Sequence, residues 1–155
     1  MNNLFIAPIK KEILVNTSQE TAFRIFTENI DSWWPRTHHV GKTPMTELVL
    51  EPGINGRWYS KHEDGSEINV GKVLEWRPSA RLVLAWQING SFQYDPDIVT
   101  EVEVNFISTA PGKTKVQFEH KNLHKLGEGK AVESMDAGWG QILELYKKRV
   151  ENNNP

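Results

Sequence analysis

The sequence predicts an α+β domain, a curved antiparallel sheet of about six to seven strands wrapped around a long C-terminal helix, with two short helices after the first strand. Three observations predict it. An alternating segment stands alone near the N-terminus, a run of alternating segments joined by short turns fills the middle, and one amphipathic stretch closes the chain.

Ile9, Lys11, Ile13 and Val15 alternate with Lys10, Glu12 and Leu14, which reads as a strand with one buried face, blurred at Leu14. In NTSQETAFRIF, Thr17 or Ser18 can cap a helix whose apolar stripe is Ala22, Phe23 and Phe26. A second helical turn over Ile30–Trp34 ends at Pro35, and Arg36–Thr46 is loop. Strands follow at Leu48–Glu51, Gly56–Lys61, Glu67–Trp76, Arg81–Gln87, Ile98–Ser108 and Thr114–His120. Asp64-Gly65 reads as a hairpin turn with both central residues at positive φ. Asn89–Asp97 is a polar loop. The closing helix starts near Gly129–Ala131 and runs to about Glu151, leaving Asn152–Pro155 as a tail.

Short turns force antiparallel neighbours, and alternation leaves one sheet face buried. Only the last helix is long enough to cover that face, since about 20 helical residues span roughly 30 Å. Its stripe is Met135, Trp139, Ile142 and Tyr146, at steps of four, three and four. Gly138 and Gly140 flank Trp139, and two mid-helix glycines cost about 2 kcal/mol relative to alanine. The expected compensation is close approach of helix to sheet at Gly138, with burial of the indole and closure of a pocket.

Composition narrows the function. At 155 residues the chain fits one domain, and a net charge of −2 with dispersed basic residues argues against nucleic acid. The absence of cysteine excludes disulfides, thiolate metal sites and cysteine nucleophiles, and fits the cytoplasm. The apolar run Leu4–Ala7 is too short for a signal-peptide core, and no stretch reaches the ~18 apolar residues of a membrane span. GEGK at Gly127–Lys130 lacks phosphate-loop spacing, and no serine stands in a nucleophile elbow. Glu101 and Glu103 fall on the solvent face of their strand. His120 and His124, or the adjacent His38 and His39, have no clear third ligand, so neither a metal, a cofactor nor a catalytic set is assigned.

Several stretches resemble a known family: WWP at Trp33–Pro35, EPGINGRW at Glu51–Trp58, GKV at Gly71–Val73, RPSARLVLAW at Arg77–Trp86, TKVQFEH at Thr114–His120 and GW at Gly138-Trp139. Their order and spacing resemble the START-like (SRPBCC, birch-pollen-allergen-like) superfamily. Within it they resemble the homologues of the activator of the heat-shock chaperone ATPase (AHSA-like). Asn55 departs from the pattern, where relatives often have glycine, but asparagine tolerates positive φ and the turn should survive. The resemblance implies a helix-grip fold with a cavity between sheet and helix for apolar ligands, and implies no reaction.

The expected function is therefore binding of an apolar, aromatic or lipid-like small molecule. The wall residues are Trp34, Trp58, Trp86, Phe106, Phe118, His120, Met135 and Trp139, with His120 or Tyr59 orienting the guest. One alternative is regulation of a heat-shock chaperone in a stress response, through an exposed Trp33 or the loop Asn89–Asp97; the chain is short for a full eukaryotic-type activator. The other is an enzyme using the same cavity with His120 as base. The assembly expected is a monomer or weak dimer.

Overall fold

A computed structural model of the chain describes residues 7–126 and 129–152. The run Leu4–Ala7 (but for Ala7), most of Gly127–Lys130 and the tail beyond Asn152 lie outside the described residues or have no described side chains.

The elements are β1 (Ile9–Val15), α1 (Gln19–Thr27), β2 (Met45–Leu50), β3 (Arg57–His62), β4 (Glu67–Arg77), β5 (Arg81–Trp86), β6 (Thr100–Ala110), β7 (Lys113–Lys121) and α2 (Gly129–Asn152). The second short helix is a single 3₁₀ turn, Ile30–Ser32, and another 3₁₀ turn, Leu123–Leu126, precedes α2. Seven antiparallel strands form one sheet in the order β1-β7-β6-β5-β4-β3-β2. Strands β2 to β7 meander, and β1 returns to pair with β7, Ile9 opposite His120 and Val15 opposite Thr114. Register shifts at Met45/Glu47, Trp58/Tyr59, Val73/Glu75 and Ser108/Ala110 bend the sheet into a half-barrel. This is a helix-grip fold.

Local chemistry sets the boundaries. Ser18 caps α1, its hydroxyl accepting from the Thr21 N–H at 3.2 Å. The β3–β4 turn differs from expectation. Gly65 has φ +85° while Asp64 does not enter the left-handed region, and the Gly65 N–H donates to the His62 carbonyl at 2.9 Å. The loop is longer than a two-residue hairpin, so a single left-handed glycine closes it. Asn55 does hold positive φ, +70°, and its N–H donates to the Val73 carbonyl at 2.9 Å.

The concave face is filled unevenly. At the β6–β7 end, α1 lays Phe23 and Phe26 against Phe106, centroids 5.3 and 5.7 Å apart. Tyr146 of α2 packs 5.1 Å from Phe26 and donates its hydroxyl to the Ala22 carbonyl at 2.7 Å, joining the two helices. Trp33, expected as an exposed contact, is instead 5% exposed, because its indole N–H donates to the Ile25 carbonyl and its ring lies between Phe26 and Tyr146. On the convex face Arg81 and Lys121 both reach Glu103, at 2.8 and 2.9 Å, and the Arg81 hydrogen bond holds the Glu103 carboxyl down at about 2. That places Glu103 in an outward-facing ladder, as alternation predicts.

The glycines flanking Trp139 do not work as expected. A methyl built on Gly138 would meet nothing within 4 Å, and one on Gly140 only Lys11 Nζ at 3.9 Å. Close packing therefore does not require Gly138; it faces open space inside the fold.

Asn55→Val should lower the unfolding free energy by about 1–2 kcal/mol, because a branched side chain resists the left-handed region, whereas Asn55→Gly should be near neutral. Urea denaturation of the two variants checks this, and equal stability of both would contradict it.

Candidate functional site

The stripe on α2 is buried as its spacing predicts, with Met135, Trp139, Ile142 and Tyr146 all facing the sheet. Where α1 no longer fills the concave face, this stripe borders a pocket of about 340 Å³. That lies at the lower end of the range for small-molecule sites. Its walls come from α2 (Ser134, Met135, Gly138, Trp139, Ile142), from the β2–β5 half of the sheet (Leu48, Ser60, Val70, Trp86, Ile88), and from Trp34 with the loop residues Thr37–Val40 and Phe92. Gly138 is part of the lining, so its missing side chain adds to the hollow.

Four indoles form a closed ring at this pocket. Trp34 meets Trp58 at 6.0 Å, Trp58 meets Trp86 at 5.6 Å, Trp86 meets Trp139 at 5.5 Å, and Trp139 returns to Trp34 at 5.7 Å. All four contacts are tilted or edge-to-face, the arrangement ring quadrupoles favour. Trp34, Trp86 and Trp139 line the space, while Trp58 lies beneath Trp34 and Trp86 and is itself 1% exposed. The indole N–H groups of Trp58 and Trp86 are buried without a protein acceptor.

His120 sits beneath this ring rather than in the pocket lining. The Trp139 indole N–H can only donate, so His120 Nδ1, 3.1 Å away, accepts. Nε2 then carries the proton and donates to Thr100 Oγ at 2.7 Å, and the Thr100 hydroxyl donates to the Trp86 carbonyl at 3.1 Å. Both ring nitrogens are engaged, and burial depresses the imidazole to about 3.

Of the nine residues expected at the site, Trp34, Trp86, Met135 and Trp139 line the pocket. Trp58 and His120 support it from below, and Phe118 packs under Trp139 at 4.5 Å. Phe106 belongs to the end filled by α1. Tyr59 points to the other side of β3, where Arg57 covers its ring at 3.9 Å.

The polar edge of the pocket comes instead from residues that sequence reading passed over. Ser60 Oγ lies 2.7 Å from His62 Nε2, and His62 Nδ1 lies 2.7 Å from the Thr43 carbonyl. A carbonyl only accepts, so Nδ1 donates to it, and in the tautomer with its one proton there Nε2 accepts from the Ser60 hydroxyl. Both side chains are buried, at 2% and 4% exposure. The Gly41 backbone presses on the imidazole, since a methyl there would overlap His62 Cε1. His39 stands over the same ring, centroids 4.9 Å apart, and burial and His62 lower its pKa. Parity carried a signal for this pair, because Trp58, Ser60 and His62 are two residues apart and share a strand face.

Among the described residues no group of three or more His, Cys, Asp or Glu is placed to hold a metal ion, and no helix is long and apolar enough to cross a membrane.

The sequence pattern of the family described as "Activator of Hsp90 ATPase homolog 1-like protein" matches residues 16–151. Among solved structures, the anthrahydroquino-gamma-pyrone synthase Txn09, solved as a complex with SUM, is 35% identical. The match covers 92% of this chain and 96% of that one with a TM-score of 0.67. The self-sacrificing resistance protein CalC from Micromonospora echinospora is 29% identical over 94% and 95% of the two chains, TM-score 0.70. The Aha1 dimer from Colwellia psychrerythraea, 16% identical over 97% and 100% with a TM-score of 0.67, shares the fold. Comparison with curated proteins gives no match.

His120 makes stability pH-dependent. Its folded pKa of about 3 lies below the ordinary 6.5, so between those values the unfolded chain binds the extra proton. Its contribution is complete above 6.5 and is lost as pH falls toward about 3. From pH 7 to pH 5 the loss should be about 2 kcal/mol. Urea titrations at both pH values should show it, and His120→Gln should flatten much of the difference; an unchanged pH dependence in the variant would contradict the buried neutral ring.

Proposed function

Because the chain belongs to the Activator of Hsp90 ATPase homolog 1-like family, we propose that it is a small-molecule binding domain whose guest is apolar, planar and aromatic. The guest lies between α2 and the β2–β5 half of the sheet. The observation that carries this reading is the indole-walled space of about 340 Å³, in which Trp34, Trp86 and Trp139 supply flat apolar faces. The comparisons lend support in that a 35% identical protein is named as an anthrahydroquino-gamma-pyrone synthase solved in a complex. Its place in the cytoplasm is part of the same proposal, resting on a chain without cysteine.

Affinity here comes from buried apolar area, at roughly 25 cal/mol per Å² before the entropy of immobilising the guest. A guest that fills the space must contact α2 at Gly138, where a side chain would take its place.

A second reading has one observation behind it. Phe92 is 45% exposed with φ +57° on the loop between β5 and β6, which gives a contact for a heat-shock chaperone. Stimulation of a purified chaperone's ATP turnover, lost in Phe92→Ser, tests it; no stimulation removes it.

Titration of planar aromatic compounds, followed by tryptophan fluorescence and by methyl resonances of Met135, tests the binding reading. Saturable shifts are expected in the native chain. Gly138→Leu should weaken binding at least tenfold, about 1.4 kcal/mol, without loss of folding. Gly138→Ala, which meets no atom, should raise stability by about 1 kcal/mol. Absence of any shift at Met135 across the panel would refute the reading.

A further inference from the structure

The Ser60–His62–Thr43 chain stands at the edge of the pocket, where it ties the loop before β2 to β3 and presents one hydroxyl to the space. Ser60 Oγ gives its hydrogen to His62 Nε2 at 2.7 Å, which leaves its lone pairs for another donor, and Ser60 is itself a wall residue. His62 Nδ1 is anchored on the Thr43 carbonyl at 2.7 Å, so the ring is held in the tautomer whose bare nitrogen faces Ser60. The Gly41 backbone against the ring fixes its plane. A buried hydroxyl oriented by an oriented imidazole is the arrangement that moves a proton.

We infer that Ser60 and His62 form a proton relay that takes the hydrogen of an acidic hydroxyl, a phenol or enol, on the guest. The inference rests on the binding reading above and names the functional group that the site selects. The guest O–H bond breaks and its electron pair stays on the guest oxygen as phenolate or enolate. That proton forms the new Oγ–H bond of Ser60 while the old one breaks, and its proton forms the Nε2–H bond of His62. The result is a phenolate and an imidazolium separated by one serine oxygen, with no change in total charge and no co-reactant.

Two contacts are available to an imidazolium at this position. Its Nδ1–H already donates to a carbonyl, and the Asp64 carboxylate across the β3–β4 turn interacts with it electrostatically. His39, the other titratable group against the ring, is pushed toward its neutral form by burial and so does not oppose the charge. Attraction between the two new charges grows as the guest displaces water from the pocket. A guest activated in this way is a nucleophilic oxygen or, as an enolate, a nucleophilic carbon.

Umbelliferone tests the relay, because its excitation spectrum separates phenol from phenolate, and coumarin, which lacks the hydroxyl, serves as control. Both should bind the native protein, and bound umbelliferone should show a phenolate-to-phenol ratio about tenfold above the free dye at the same pH. Ser60→Ala and His62→Gln should bring that ratio down to or below that of the free dye, while the methyl resonance of Met135 in each unliganded variant stays where it is in the native protein, which reports an intact fold. If both compounds bind and the ratio is the same in all three proteins, the relay is overturned and the binding reading stands. If neither compound binds the native protein, the relay is overturned, and the binding reading falls with it when the whole panel leaves Met135 unshifted.

Discussion

The indole of Trp139 crosses the interior to donate to His120 Nδ1, and the position of everything else in the site follows from that bond. It joins the long helix to β7, one strand in from the β1 edge of the sheet, with both partners buried. The net value of such a bond is about 1 kcal/mol, but breaking it would leave a buried donor and a buried acceptor unsatisfied, at about 1–3 kcal/mol each. The bond also fixes the proton on His120, which sets the direction of the Thr100 hydroxyl and ends at the Trp86 carbonyl. Trp86 and Trp139, the two indoles on either end of that chain, are neighbours in the four-membered aromatic ring. Helix register, imidazole tautomer and pocket floor are therefore one cooperative unit.

The interior is solid at one end and hollow at the other, and the reason is the short helix. α1 inserts Phe23 and Phe26 between α2 and β6, so Phe106 and Tyr146 are closed off from any guest. Over the β2–β5 half α2 faces the sheet across the pocket with no α1 side chain between them, and the loop carrying His38 and His39 rims the space. The glycine beside Trp139 widens that half. Its cost in helix propensity is offset by no contact in the fold, which is what a position retained for space rather than for packing looks like. The apolar hollow then ends on one polar edge, where β3 presents Ser60 and His62.

Alternation and turn chemistry made the architecture legible in the sequence. The seven strands, the capped first helix, the α2 stripe and the outward Glu103 all follow from periods of two and 3.6. Asn55 was legible too, because its chemistry matches the backbone it adopts. The site was legible only in part. Parity says which side of a strand faces inward, but a concave face has a filled end and an open end, and parity does not distinguish them. Phe106 and Phe118 face inward and lie under α1 or Trp139, whereas Trp86 faces inward and meets open space. Gly138 was misread because propensity gives the cost of a glycine and not whether close packing or empty volume calls for it. His120 drew attention as a histidine on an inward face, yet Trp139 occupies its only free lone pair. Ser60 and His62 carried the same parity signal without an aromatic to mark them.

Hydrogen exchange of the tryptophan indole N–H groups, resolved by nitrogen–proton correlation NMR, tests the Trp139–His120 bond most directly. The Trp139 indole hydrogen should exchange only through global unfolding, with protection equal to that of the slowest β7 amides, and His120→Ala should remove that protection. Native-state exchange of the Trp139 hydrogen at the rate of an open indole would contradict the bond, and with it the placement of α2 over the pocket.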